Sequence, residues 1–267
     1  MDIRNTYRIT QTAATIARLM GFAMPENADT ANEGVMQVAG KALGGKTAER
    51  VLLYNPDAIA LWLYQKYTPL FTPVLEHSQM ALPVHTVMPS VTPVCFASMY
   101  SGLVPADHGI MAYEKPVLQV KTLFDRAIEA GHRPIIISTE GDSISKIFLE
   151  RDMDYIFCKT PEECNARATE VLLADKHDLI VVYNGNYDAT MHRFGPESPE
   201  ALEQLSHNAQ SYAALCGIAK TAWQGKAGVT AFLPDHGCHE IDGQLGSHGL
   251  DMPEDMNIIH FYQFYGA

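Results

Sequence analysis

The sequence predicts an α/β fold: a three-layer α/β/α sandwich around a mostly parallel central sheet. Three observations predict it. Near-continuous apolar runs of strand length, such as "PIIIS" (134–138) and "DLIVVYN" (178–184), alternate with longer stretches of helical spacing. Strands buried on both faces read in that way, and the helices between them cover those faces. The chain also lacks repeats, low-complexity tracts and Gly/Ser linkers, and its 267 residues suffice for one large core.

In chain order, the first 48 residues hold two helix-like stretches and no strand, and end near the doublet Gly44-Gly45. "RVLLYN" (50–55) reads as a buried strand and "AIALWLYQKY" (58–67) as a helix. Residues 66–82 read as loop, and "PVHTV" (83–87) as a short strand. "PVCFASMYSG" (93–102) has helical spacing and stops on Gly102. Residues 103–117 form a second loop, and "LQVKTLFDRAIEAG" (118–131) an amphipathic helix closed by Gly131. After strand 134–138, "DSISKIFLE" (142–150) starts like a capped helix. "YIFC" (155–158) is a strand, and 160–175 a helix with Thr160 as N-cap and Pro161 at its first position. Strand 178–184, a long helix over 198–224, strand 228–234 and a final strand over 256–266 complete the pattern. The expectation is a single domain over 1–267, with a helical segment 1–48 on a catalytic core of 49–267.

Composition narrows the function classes. Apolar content of 47% and charged content of 19% are those of a globular protein, and no apolar run is long enough for a membrane span. The N-terminus lacks the basic-then-apolar order of a secretory signal. A formal charge of −12 without a Lys/Arg-rich run argues against a nucleic-acid polymer as partner. A small phosphate-bearing substrate stays compatible if cations offset the local carboxylates. Five cysteines, an odd count without CxxC spacing, read as reduced thiols of a cytoplasmic protein, although Cys158 and Cys164 are close enough in sequence to consider as a pair.

In open α/β sheets, ligand sites lie at the C-terminal ends of the strands. Asp57 follows strand 50–55; Asp188 and His192 follow strand 178–184; Asp235 and His236 follow strand 228–234; His248 sits in "GSHG". Thr92 opens the helix of 93–102. Each has an ordinary reading when taken singly. Asp57 can cap a helix, Asp188 and His192 can form a solvent-facing i, i+4 pair, and Thr92 before Pro93 is a good N-cap. Together, three aspartates and three histidines at strand ends, with a hydroxyl at a helix N-terminus, point to a pair of divalent cations. Imidazole nitrogen and carboxylate oxygen suit Zn²⁺, and Mn²⁺ less well. Two such ions clamp a phosphoryl group, and a cation on a threonine oxygen makes it a nucleophile.

These motifs resemble the alkaline phosphatase superfamily, most closely its nucleotide pyrophosphatase/phosphodiesterase branch, from about Arg50 to the C-terminus. "PSVTPVCFASMYSGLVPADHGI" (89–110) is similar to that branch's nucleophile segment. "YNPDA", "YDATMHRFGP", "PDHGC" and "GSHG" are similar to its metal-ligand motifs, in family order. The resemblance implies Thr92 as catalytic nucleophile through a phospho-threonine. It implies one metal on Asp188, His192 and His248, and the other on Asp57, Asp235, His236 and the Thr92 oxygen. It implies a small phosphodiester or pyrophosphate substrate, with phosphonate hydrolysis, phosphomutation or non-catalytic metal or phosphate binding as alternatives. Where the branch carries an asparagine that helps hold phosphate, this chain has Cys95, a weak donor that puts that substrate contact in doubt. The chain also lacks the branch's long cap insertions.

Among the remaining histidines, His239 is a spare ligand candidate and His108 reads as structural. Arg193 reads as a surface residue within reach of phosphate. The segment "ITQTAATIARLMGFAMP" (9–25) resembles one that relatives carry after the last metal histidine, which suggests a circular rearrangement.

Overall fold

The computed structural model describes residues 5–266. The N-terminal part comprises β1 (Tyr7–Arg8), α1 (Gln11–Met20) and α2 (Glu33–Ala42). Then follow β2 (Arg50–Pro56), α3 (Leu61–Lys66), a 3₁₀ turn (Thr68–Phe71), α4 (Thr72–Glu76) and β3 (Met80–His85). The middle holds α5 (Thr92–Ser101), α6 (Pro105–His108), α7 (Leu123–Glu129), β4 (Pro134–Thr139), α8 (Ile144–Ile147), β5 (Asp154–Cys158) and α9 (Pro161–Ala174). The last third runs through β6 (Leu179–Asn184), α10 (Asn186–Phe194), α11 (Pro199–Ala222) and β7 (Gly228–Phe232). It ends with β8 (His239–Ile241), β9 (Leu245–Ser247), α12 (Pro253–Met256) and β10 (Asn257–Tyr265).

Eight strands form one sheet in the order β1-β3-β10-β7-β2-β6-β4-β5, while β8 and β9 pair separately. The run from β7 to β5 is parallel, and only β10 opposes its neighbours. Period-2 alternation sorts each central strand between two apolar layers. In β2, Val51 and Leu53 join the layer of α1, α5 and α7, whereas Leu52 and Tyr54 join that of α3, α9 and α11. In β6, Leu179 and Val181 divide from Ile180 and Val182 in the same way. This is the expected three-layer sandwich. No helix among the described residues is long and apolar enough to cross a membrane.

Several elements differ from their sequence reading. A short strand, β1, stands in the segment read as strandless, paired in parallel with β3. The helix expected over 58–67 starts only at Leu61, because the chain turns at Ala58 with φ of 63° and Ala60 bridges to Ile258. The helix read over 118–131 spans only Leu123–Glu129: Thr122 donates its N–H to Asp125 at 2.7 Å and starts the helix there, while Leu118 N–H bonds Ile147 O. The helix read over 142–150 shrinks to one turn, α8, since Asp142 first accepts the Ser145 N–H in a local turn. The region 66–82, read as loop, carries the 3₁₀ turn, α4 and the start of β3.

The N-terminal segment lies beside the final strand. Ile9 N–H donates to His85 O, Asn5 N–H to the Asn257 side chain, and α1 shares an apolar layer with Tyr262 and Phe264. We propose on this ground that the chain order is rearranged relative to its relatives. A chain starting at Lys46 and carrying residues 1–45 after Ala267 should fold with a melting point within a few degrees of the original. Failure to fold would remove the idea.

Candidate active site

Parallel pairing puts the C-terminal ends of β2, β6 and β7 side by side. Two further bonds extend that alignment past the strands: Asp57 N–H to Asn184 O at 3.0 Å, and Leu233 N–H to Tyr54 O at 2.8 Å. Asp57 and Asp235 thereby leave neighbouring strands at one level, and both are buried. Asp57 caps no helix; Ala60 holds that position before α3. Asp188 and His192 stand one turn apart on α10, which starts directly after β6. Thr92 is the first residue of α5, with Pro93 next to it, and is 3% exposed. His248 follows the β8–β9 hairpin and is tied to the segment before Thr92 by a 2.9 Å bond from its Nδ1 to Ser90 O.

The six acids and histidines and the Thr92 hydroxyl converge. His236 Nε2 lies 3.2 Å from Asp57 Oδ1 and 3.4 Å from Asp235 Oδ2. Asp188 Oδ1 lies 3.3 Å from both His192 Nε2 and His248 Nε2. Thr92 Oγ1 is 3.3 Å from Asp57 Oδ2, to which it donates, and 3.3 Å from His236 Nε2. The His236 and His248 rings stack at 4.1 Å, which joins the two halves of the site.

The donor set fits divalent cations. A backbone carbonyl only accepts, so each histidine that faces one through Nδ1 carries its proton there. His192 faces Gly246 O, His236 faces Gly237 O, and His248 faces Ser90 O, each at 2.9 Å. All three Nε2 atoms are thus turned to the centre of the site, the orientation that metal ligation requires. Facing them, Asp57 Oδ1, Asp188 Oδ1 and Asp235 Oδ2 are buried and accept no hydrogen bond. Carboxylate oxygens and imidazole lone pairs at 3.2–3.4 Å repel unless cations or protons lie between them. Asp57, Asp235 and His236 bring their donor atoms within 4.8 Å of one another, as do Asp188, His236 and His248. His192 meets Asp188 but lies outside that second triple, on the exposed rim.

The electrostatics tell the same story. Burial, then the charge of Asp57, pushes the Asp235 carboxyl well above the usual range. Burial pulls His236 down, but Asp235 and Asp57 outweigh it and raise the imidazole to about 10. Burial raises Asp188, yet the facing imidazoles of His192 and His248 leave it well below the usual carboxylate range. The bond to Asp188 raises His192.

Other residues fall outside the cluster. Cys95, one turn into α5, is fully buried; its Sγ accepts from Thr86 at 3.3 Å and presents no surface to solvent. A substrate contact through Cys95 finds no exposed surface there, and burial followed by the Asp235 charge holds its thiol protonated. His239, the spare candidate, pairs through Nδ1 with Asp255 at 2.7 Å. His108 bonds Ser98, in line with its structural reading. Arg193 is exposed. All five cysteines, Cys158 and Cys164 included, are free and buried.

Sequence reasoning missed Tyr183, whose phenol donates a short hydrogen bond to Asp57 Oδ2. Its only signal was its place at the end of a strand next to polar residues. The neighbour it meets became visible with the in-register pairing of Asn55 and Tyr183.

Comparison with known proteins gives a family match over part of the chain and a match of the fold. Residues 55–139 match the family model described as type I phosphodiesterase / nucleotide pyrophosphatase. Over those residues the chain is similar to that family, whose described chemistry is the hydrolysis of phosphodiester and pyrophosphate bonds. The fold matches murine ectonucleotide pyrophosphatase/phosphodiesterase 5, with a TM-score of 0.65 at 15% identity, over 82% of this chain and 88% of that one. An inactive form of the murine protein, in complex with AMP, gives a TM-score of 0.64 at 16% identity over the same shares. The human protein gives 0.60 at 15%, over 81% and 88%. No curated protein sequence matches.

Proposed function

We propose that this chain hydrolyses phosphodiester or pyrophosphate bonds of small molecules, with Thr92 as nucleophile and two divalent cations, zinc or manganese. Asp188, His192 and His248 would hold one cation; Asp57, Asp235, His236 and the Thr92 oxygen would hold the other. The carrying observation is the convergence of three carboxylates and three Nε2 atoms, with the Thr92 hydroxyl set against Asp57 and His236. When bound, the cations supply Lewis-acid stabilisation of phosphoryl charge and lower the pKa of coordinated oxygen.

The chain's own residues do the rest. The N-terminus of α5 faces the Thr92 oxygen and favours negative charge on it. Asp57 Oδ2 accepts the Thr92 hydroxyl and orients its lone pairs. Thr92 Oγ1 gives up its proton and attacks phosphorus in line; its bond to phosphorus forms as the bond to the leaving oxygen breaks, and that oxygen takes up a proton from solvent. Water then cleaves the phospho-threonine and restores the hydroxyl. The buried sides of the cluster exclude competing water.

A nucleotide is the first substrate class to test, supported by the AMP complex of the murine neighbour. The acidic charge supports a small ester over a nucleic-acid polymer, and the five free thiols support a reducing compartment such as the cytoplasm. Turnover of bis-aryl phosphate, mono-aryl phosphate and phosphonoacetate ranks the bond classes; the diester should lead. Thr92→Ala should lower turnover by roughly 10³-fold or more while metal content stays unchanged. Undiminished turnover in that variant would remove Thr92 as nucleophile.

A further inference from the structure

We infer that Tyr183 is a positioning residue for the metal centre: its phenol holds Asp57 Oδ2, so that Asp57 presents Oδ1 alone to the cations. The inference rests on the two-cation reading above and adds a residue to it. Asp57 divides its two oxygens sharply. Oδ2 accepts from the Tyr183 phenol and the Thr92 hydroxyl, whereas Oδ1 accepts nothing and lies 3.2 Å from His236 Nε2. A carboxylate free to rotate would offer either oxygen, or both. One donor fixed at Oδ2 removes that freedom and leaves a single ligand direction.

The fold builds this contact from two sides. Register in the β2–β6 pair sets Asn55 against Tyr183, and Asp57 N–H donates to Asn184 O, so backbone and phenol grip the same residue. Phe96 of α5 packs its ring against the Tyr183 ring at 5.6 Å and 79°, which fixes the phenol's direction from the helical layer. Gly185 supplies the room. A Cβ there would stand 2.8 Å from the Tyr183 oxygen, although φ of −94° is open to any residue. The absent side chain therefore serves the phenol and not the backbone. Only 5% of Tyr183 is exposed, too little for a face that stacks on substrate.

Removing the outer partner of a metal ligand commonly costs about 10–100-fold in metal affinity. The experiment strips wild type, Tyr183→Phe and Gly185→Ala with a chelator and titrates each with zinc by calorimetry. Thermal melts of the stripped proteins report on the fold. Kinetics on bis-aryl phosphate follow at limiting and saturating zinc. Tyr183→Phe should weaken one zinc step by about 10–100-fold and leave the other within about threefold. Its kcat should fall at limiting zinc and recover at saturation, with KM unchanged. Gly185→Ala should shift the same step in the same direction, and it carries the test if the phenylalanine variant misfolds. Unchanged zinc affinities in the variants overturn the role, as does a raised KM with affinities intact, which would make the ring a substrate wall. A wild type that binds no zinc or manganese overturns the two-cation reading itself, a separate result.

Discussion

The two halves of the site are built from different parts of the fold. Asp57, Asp235, His236 and Thr92 leave strand ends and a helix N-terminus inside the sandwich, and Asp235 and His236 have no exposed surface. Asp188, His192 and His248 come from α10 and from the loop after β9, with side chains 20%, 40% and 8% exposed. One half is held on all sides by packed strands and helices. The other is half open to solvent and carried by a two-strand hairpin against α10. A cation in the first half would have to be released through the protein, and one in the second could exchange directly with water. On the proposed function the difference would divide the labour: a fixed floor for Thr92, and an open position for substrate and water.

The largest effect expected from this contrast is on metal retention. Asp235→Asn should weaken the buried cation by more than roughly 100-fold, whereas His192→Ala should weaken the open one by about 10–100-fold. Timed dialysis against a chelator should strip wild type in two phases, and His192→Ala should speed the first phase only. One common rate for both ions would break the comparison. In the stripped protein the sign reverses. Asp235→Asn removes one of two buried carboxylates whose charges oppose each other, and so should raise the melting point.

The smallest effect sharpens a second side of the comparison, between histidines with and without carboxylate neighbours. His236 is raised to about 10 by Asp235 and Asp57. His108 and His260, also buried but bonded to a hydroxyl and to Pro234 O, are lowered by burial to about 4. Both must stay neutral in the folded chain. Between pH 6.5 and 4 the unfolded chain binds more protons at these positions, so stability falls as pH falls through that window. The loss should reach about 1–3 kcal/mol for each histidine. Denaturant melts of the stripped protein across the window check it: His108→Gln should flatten the slope relative to wild type. An unchanged slope would mean that His108 protonates in the fold.

Much of this was legible in the sequence, for identifiable reasons. The central strands β2, β4, β6 and β7 and the helices α5, α9 and α11 are long, strongly patterned or well capped, and their boundaries read within a residue or two. Thr160 accepts the Glu163 N–H as its N-cap reading implies. Weak helices were shortened where a cap starts them late, as at Thr122 and Asp125, or where a local turn competes, as at Asp142. The seven side chains that converge were marked in the sequence by motif spacing. Tyr183, Thr86 and Asp255 were not, since each acts through a partner distant in sequence: Asp57, Asp235 O and His239.

By itself the sequence determined which side chains could form a site, because polar residues placed at the ends of apolar strands have no reason to be there in a packed core. It also determined the layered fold, through period and punctuation. Only the tertiary structure decided how those side chains meet. Strand register set Asp57 beside Tyr183, the hairpin brought His248 over Ser90, and carbonyl partners chose the tautomer of each histidine. Such contacts depend on distances across the sheet and on which nitrogen carries a proton, and neither is written in the order of residues along the chain.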